Sequence, residues 1–305
     1  MSDFLVVLNK DEDTVSFIDP VNGKTHKKIE VDHNPHEVVI SPDGKKTYVT
    51  CSLGNRLNII DNEQMEVTKS IDHPDFDFPH GVGLSPDGKN LYIASTFSAK
   101  IFVIDTESET VTDVIPTFQK HSHMIAPTPD GDQIFVPNIG SDNITVFDPG
   151  KKEVTNHFPV GKGPEGVAVH PQSPVLYVAN QDGDTLFCID IQSYQVIHKL
   201  RLGRCPIRAV FSPDGRYCLI PNREGNDLSV IDTTFPRKEE KRPWEIKRIP
   251  LGIWPGGTVF NPEGDRAFAA NNKTNDISVI NMETLEEEKR LPAGIHPDGI
   301  AYLRL

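Results

Sequence analysis

The stretch GVGLSPDGKNLYIASTFSAKIFVID, residues 81–105, decides the architecture of this chain. It holds a short apolar segment, a Ser-Pro-Asp-Gly turn, a second apolar segment, a polar loop, and a third segment closed by Asp105. Asp-Gly between two apolar runs is a hairpin signal, because glycine supplies the positive φ of the turn without steric cost. Working outward, the same closing aspartate recurs at Asp19, Asp61, Asp148, Asp190 and Asp232, and as Asn281. Including Asp105, the steps are 42, 44, 43, 42, 42 and 49 residues.

A period in the forties with four short strands per unit predicts a β-propeller, and seven returns predict seven blades. The chain begins at a second strand, FLVVLN, and ends on a first strand, GIAYLRL. The C-terminal strand is therefore expected to complete the N-terminal blade and close the ring, which removes two exposed sheet edges. The expectation is one all-β domain spanning 1–305. The long step comes from an insertion, TTFPRKEEKRPWEIKR (233–248), which reads as a solvated surface loop.

The units GVGLSPDGKNLYIAS, GVAVHPQSPVLYVAN and AVFSPDGRYCLIPN resemble the YVTN-type repeat of seven-bladed propellers. That group is similar to surface-layer repeat proteins and to lactonase-like and streptogramin-lyase-like propellers. The resemblance covers nearly the whole chain and speaks for the fold. It speaks weakly for function, since one architecture hosts binders, scaffolds, hydrolases, lyases and oxygenases.

One repeat position carries chemistry. Where the chain enters each innermost strand stand His36, His80, His123, Glu165, Ile207, Gly256 and Asp298 in turn. A propeller brings these positions to the mouth of its central channel. Three imidazoles and a carboxylate suit a divalent transition metal: iron, zinc or manganese, with copper a further option. Calcium, which prefers six to eight oxygens, suits them less. The expected ligands are His36, His80, His123 and Glu165, with Glu37 orienting an imidazole. His121, His296, Asp298 and Arg208 are the candidate catalytic groups. The first three are bases or alternative ligands, and Arg208, which replaces a commoner glycine, is a clamp for a substrate carboxylate. Trp254 and Phe97 offer an apolar wall. The asparagines Asn9, Asn138, Asn180, Asn222 and Asn271 and the cysteines read as structural.

These residues predict a metal-dependent enzyme acting on a small molecule, and the resemblance implies lactone-type hydrolysis or lyase chemistry. An iron-dependent oxygenase is an alternative, by analogy with carotenoid-oxygenase propellers, which hold iron with four histidines. A non-catalytic binding or scaffolding propeller, with a protein partner on the rim, is another. The net charge of −13 argues against nucleic-acid and anionic-membrane binding. The N-terminus lacks a basic region and a long apolar run, so a cytoplasmic location is expected. The four cysteines show no metal-site or disulfide spacing.

Overall fold

In a computed structural model, which describes residues 2–234 and 244–305, each repeat is a four-stranded antiparallel sheet, and there are seven. The fold is the expected all-β seven-bladed propeller. We number the blades by their ring position, so that blade 1 carries His36 and blade 7 carries Asp298. Blade 7 is the composite one: Pro297–Arg304 pairs with Asp3–Asn9, which pairs with Thr14–Ile18 and then Thr25–Glu30. Asp3 lies opposite Arg304 in this register, and Arg304 Nη2 also bonds the Asp3 carboxylate at 2.9 Å. The two ends of the chain are thus zipped into one sheet.

The repeat residues explain the blade. In the Pro-Asp-Gly turns the glycines take the left-handed conformation, with φ of 72° at Gly44, 71° at Gly88 and 73° at Gly215, a region costly for residues with a Cβ. The serine before the turn donates to the turn aspartate, as Ser41 does to Asp43 at 2.6 Å. The closing aspartates accept from the next turn, as Asp105 does from the Ser108 N–H at 2.7 Å. Alternating residues of the second and third strands fill the spaces between blades. Phe17, Tyr48, Phe102, Phe135, Phe147, Tyr177 and Phe268 are all essentially inaccessible. The fully buried Asn9, Asn138, Asn222 and Asn271 each donate to a Ser or Thr hydroxyl on the adjoining third strand, confirming their structural role.

One local expectation needs correction. The insertion was expected to be loop through Arg248, but Glu245–Pro250 is the outer strand of blade 5. Just before it, Trp244 is buried and stacks on His198 with ring centroids 4.3 Å apart. An outermost strand is wet on most of its length, so its charge pattern is that of a loop. Residues 235–243 of the insertion lie outside the described part of the chain. The expectation of four strands per unit holds in all seven blades, though the innermost strands of blades 3 and 5 are only Ala126–Pro127 and Val210–Phe211. Among the described residues no helix is long and apolar enough to cross a membrane.

Candidate active site at the channel mouth

In blades 1, 2, 4 and 6 the ring position sits at an irregularity of the sheet. The register slips between Pro35 and Glu37, between Pro79 and Val82, between Pro164 and Gly166, and between Pro255 and Thr258. Such bulges bend a strand and re-aim a side chain. Here they turn His36, His80 and Glu165 out of the alternation and into the axis.

The position after the ring residue is glycine in four blades: Gly81, Gly166, Gly257 and Gly299. A Cβ on Gly81 would stand 2.4 Å from the Met124 Cα, and one on Gly257 would stand 2.2 Å from the Asp298 carbonyl oxygen. Neighbouring inner strands therefore touch backbone to backbone, which draws the ring side chains together. Blade 3 has Met124 there, and blades 1 and 5 carry Glu37 and Arg208. These two meet across the channel: Arg208 Nε donates to Glu37 Oε1 at 3.0 Å, and Nη2 contacts the same oxygen. Nη2 also donates to Asp298 Oδ1 at 2.7 Å. Gly256 makes room for this reach, since a Cβ there would lie 3.2 Å from Arg208 Nη1 and 3.3 Å from Asp298 Oδ1.

Above this buried ion cluster lies a cavity of about 200 Å³. His36, His80, His123, Glu165, Arg208 and Asp298 all line it. Lys10, Arg223, Phe78 and Trp254 line it as well. The three imidazoles lie in series: His36 is tilted by 55° against His80 at 4.3 Å, and His80 stacks on His123 at 3.7 Å between centroids. His36 Nε2 is 3.3 Å from Asp298 Oδ2, to which Lys10 Nζ donates at 3.0 Å. At the other end of the series His123 Nε2 is 3.8 Å from Glu165 Oε1, and its Nδ1 is 3.2 Å from the Thr96 hydroxyl. Glu165 Oε2 accepts the Arg208 backbone N–H at 2.7 Å.

Burial sets the charge states. It holds all three histidines below their ordinary range, against the pull of Asp298, and mutual repulsion lowers His80 and His123 further. The imidazoles are neutral near pH 7. Burial pushes Glu37 up to about 7 in spite of Arg208. It also raises Glu165, again partly offset by Arg208. Burial opposes ionisation of Asp298 too, but there Arg208, His36 and Lys10 prevail and hold the carboxyl well below its usual range. Arg208 stays charged because Glu37, Asp298 and Glu165 outweigh its own desolvation.

Of the eight residues singled out in the sequence, six converge on this cavity and two do not. His121 is exposed beside Phe97, with ring centroids 5.6 Å apart. His296 is drawn to the rim by Asp11 and lies 3.3 Å from Lys273 Nζ. Arg208 is in the cavity, but as the partner of Glu37 and Asp298 rather than as a clamp opposite the histidines. Lys10 and Arg223 were missed, because loop cations carry no repeat signal. Cys51 is fully buried beside Asn58, away from the cavity.

The donor set has metal chemistry, but its placement does not fit a metal ion. Two imidazoles on a tetrahedral ion at ~2.0–2.1 Å stand with centroids roughly 5 Å apart, wider than the 3.7 Å stack of His80 on His123. Among the described residues no three of His, Cys, Asp or Glu are grouped to hold a metal ion. One feature leans the other way: Nδ1 of His36 and Nδ1 of His80 are buried with no hydrogen-bond partner.

The family model described as "Lactonase, 7-bladed beta-propeller" matches residues 113–288, more than half of the chain. Among solved structures, a functionally unknown protein from Desulfotomaculum acetoxidans aligns with a TM-score of 0.85 at 15% identity, over 99% of both chains. A putative 6-phosphogluconolactonase from Bacteroides fragilis aligns with a TM-score of 0.80 at 17% identity, over 99% of this chain and 98% of that one. Hydrazine synthase from Kuenenia stuttgartiensis aligns with a TM-score of 0.80 at 22% identity, over 90% of this chain and 91% of that one. At such identities these likenesses speak for the fold alone. No curated protein matches the chain.

Proposed function

The chain belongs to the seven-bladed lactonase family, and on that premise we propose that it hydrolyses a small lactone in the cavity at the channel mouth. The observation that carries this reading is one small cavity bounded by a raised-pKa carboxylate, Glu165, and by two cations, Arg208 and Lys10.

Glu165 is the general base. Its Oε2 is fixed by the Arg208 N–H, so the carboxylate has a set orientation. Burial raises its proton affinity, which makes the ionised form a stronger base than an ordinary carboxylate. It takes a proton from water as the water oxygen bonds to the lactone carbonyl carbon. The carbonyl oxygen becomes an oxyanion, which Lys10 Nζ and the Arg208 guanidinium stabilise from a site sheltered from bulk water. Collapse re-forms the carbonyl and breaks the ring C–O bond. The proton held by Glu165 passes to the departing alkoxide, leaving a hydroxy acid. The neutral histidines, with their ring nitrogens as both donors and acceptors, orient the water and the substrate's hydroxyls. The test is ring opening followed by pH-stat, comparing wild type with Glu165→Gln. The variant should lose ~10²–10⁴ in kcat with KM little changed, and the acid limb of the wild-type pH profile, centred above the ordinary glutamate range, should vanish. Equal rates would remove Glu165 from the chemistry.

The orphaned Nδ1 atoms of His36 and His80 favour a second reading, a divalent iron, zinc or manganese ion held by His36, His80, His123 and Glu165 after the rings turn. Such an ion would supply Lewis-acid polarisation. Elemental analysis of untagged protein decides it. About one equivalent of metal, lost in the His36/His80/His123 triple alanine, supports the ion, and no metal after reconstitution removes it.

A further inference from the structure

The residue two before each ring position is left-handed. It has φ of 64° at Asn34, 61° at Phe78, 60° at Gly163 and 58° at Trp254. Glycine and asparagine suit this conformation, whereas bulky side chains are rare there and strained. The backbone nevertheless enforces it. The N–H of Phe78 donates to Asn55 Oδ1 at 2.9 Å, that of Trp254 to Asn226 Oδ1 at 3.0 Å, and that of Gly163 to Asp142 Oδ1 at 2.9 Å. The previous blade thus clamps the next one's entry, whatever side chain stands there.

Phe78 and Trp254 use this strained position in the same way: both line the cavity. Blades 2 and 6 stand about 150° apart around a seven-bladed ring, so the two residues stand on opposite sides of the mouth. Each has close neighbours. Phe78 lies 5.1 Å from Phe97 and stacks over His80 at an interplanar angle of 12°. Trp254 has Arg223 5.5 Å and Lys273 5.1 Å from its ring. Trp254 is 40% exposed, an apolar surface left open at a wet rim.

Resting on the lactone reading, we propose that Phe78 and Trp254 form a two-sided aromatic clamp that selects lactones carrying a planar unsaturated ring. An aromatic ring entering between them stacks on one face or both, with gains beyond simple burial. A saturated ring, puckered and without a π face, gains only the burial. The cavity of about 200 Å³ has room for one such ring beside the lactone carbonyl.

The experiment compares dihydrocoumarin with δ-valerolactone on wild type, Trp254→Leu and Phe78→Leu. Leucine keeps an apolar side chain on the same backbone and removes only the ring. Wild type should favour dihydrocoumarin by roughly tenfold or more in kcat/KM. Each variant should lower kcat/KM for dihydrocoumarin several-fold more than for δ-valerolactone, with the difference appearing in KM. Calorimetry with the ring-opened acids, 3-(2-hydroxyphenyl)propanoate and 5-hydroxypentanoate, gives a second reading that needs no turnover. The aromatic acid should bind roughly tenfold more tightly to wild type, and the leucine variants should level the two. If neither lactone is opened, the lactonase reading fails, and the calorimetry alone judges the clamp. Equal binding of the two acids, or an aromatic preference that survives in both leucine variants, overturns it.

Discussion

Glu37 and Arg208 stand at a repeat position that is glycine in most blades, and their meeting across the channel organises the charge of the site. Burial favours the protonated Glu37 carboxyl over an ion pair, and Arg208 offsets this only in part. The pH signature is readable. Glu37 holds its proton in the folded chain up to about 7, against a reference of 4.5. Its contribution to stability is full below 4.5 and is lost as pH rises toward 7, by on the order of 3 kcal/mol in total. The histidines tilt the other way, because groups held below their ordinary range cost stability as pH falls, but they are common to both proteins in a comparison. Denaturant unfolding of wild type and Glu37→Gln from pH 4.5 to 7 should therefore show wild type losing ground steadily to the variant. A difference constant with pH would mean that Glu37 is ionised throughout. The sequence placed Glu37 next to His36 as a supporting group, and it flagged Arg208 for breaking the glycine pattern. What it could not convey was their reach. Two long side chains from blades 1 and 5 meet only because Gly256 leaves a gap, and no local pattern encodes a gap on a third blade.

At the scale of the strand, the period, the hairpin turns and the alternation were all legible, because each rests on local chemistry: glycine at positive φ, aspartate capping a turn, apolar residues every second position. The ring position escapes this logic. In most blades it lies on a bulge, where alternation no longer says which way a side chain points, and its histidines were found by repeat alignment instead. The outer strand Glu245–Pro250 was missed for a related reason, since a strand exposed on both faces carries no burial pattern. The glycines following the ring residues make the strand-scale account testable. A Cβ on Gly166 would lie 2.3 Å from the Arg208 Cα, backbone against backbone, with no flexible side chain to yield. Gly166→Ala should cost about 2 kcal/mol or more and displace both Glu165 and Arg208, so activity should fall with stability. Gly150→Ala, whose nearest neighbour is the Asp148 carboxylate at 3.4 Å, is the control and should be near neutral by thermal melting. Comparable losses in both would show that inner-strand contact is not what sets the ring.

Across the whole molecule, seven near-identical blades build a site that has no symmetry. Histidines occupy one arc, Arg208 and Asp298 another, and an aromatic residue stands on each, Phe78 on the first and Trp254 on the second. The closed ring supplies rigidity, with the C-terminal strand that bears Asp298 locked to the N-terminal strand of the same blade. Chemistry is left to the few positions where blades differ. The count of blades and the composition of the ring could be read from the repeat. The close approach of the imidazoles to one another, and the cations Lys10 and Arg223 entering from loops, could not, because they arise from the packing of blades distant in sequence. The central claim is that this asymmetric mouth opens lactones with Glu165 as base. The most direct measurement is the pH-stat rate of lactone ring opening by wild type and Glu165→Gln at equal concentration. Turnover by wild type with a loss of about 100-fold or more in the variant is the expected result. Ring opening at the same rate by both proteins, or by neither, would contradict it.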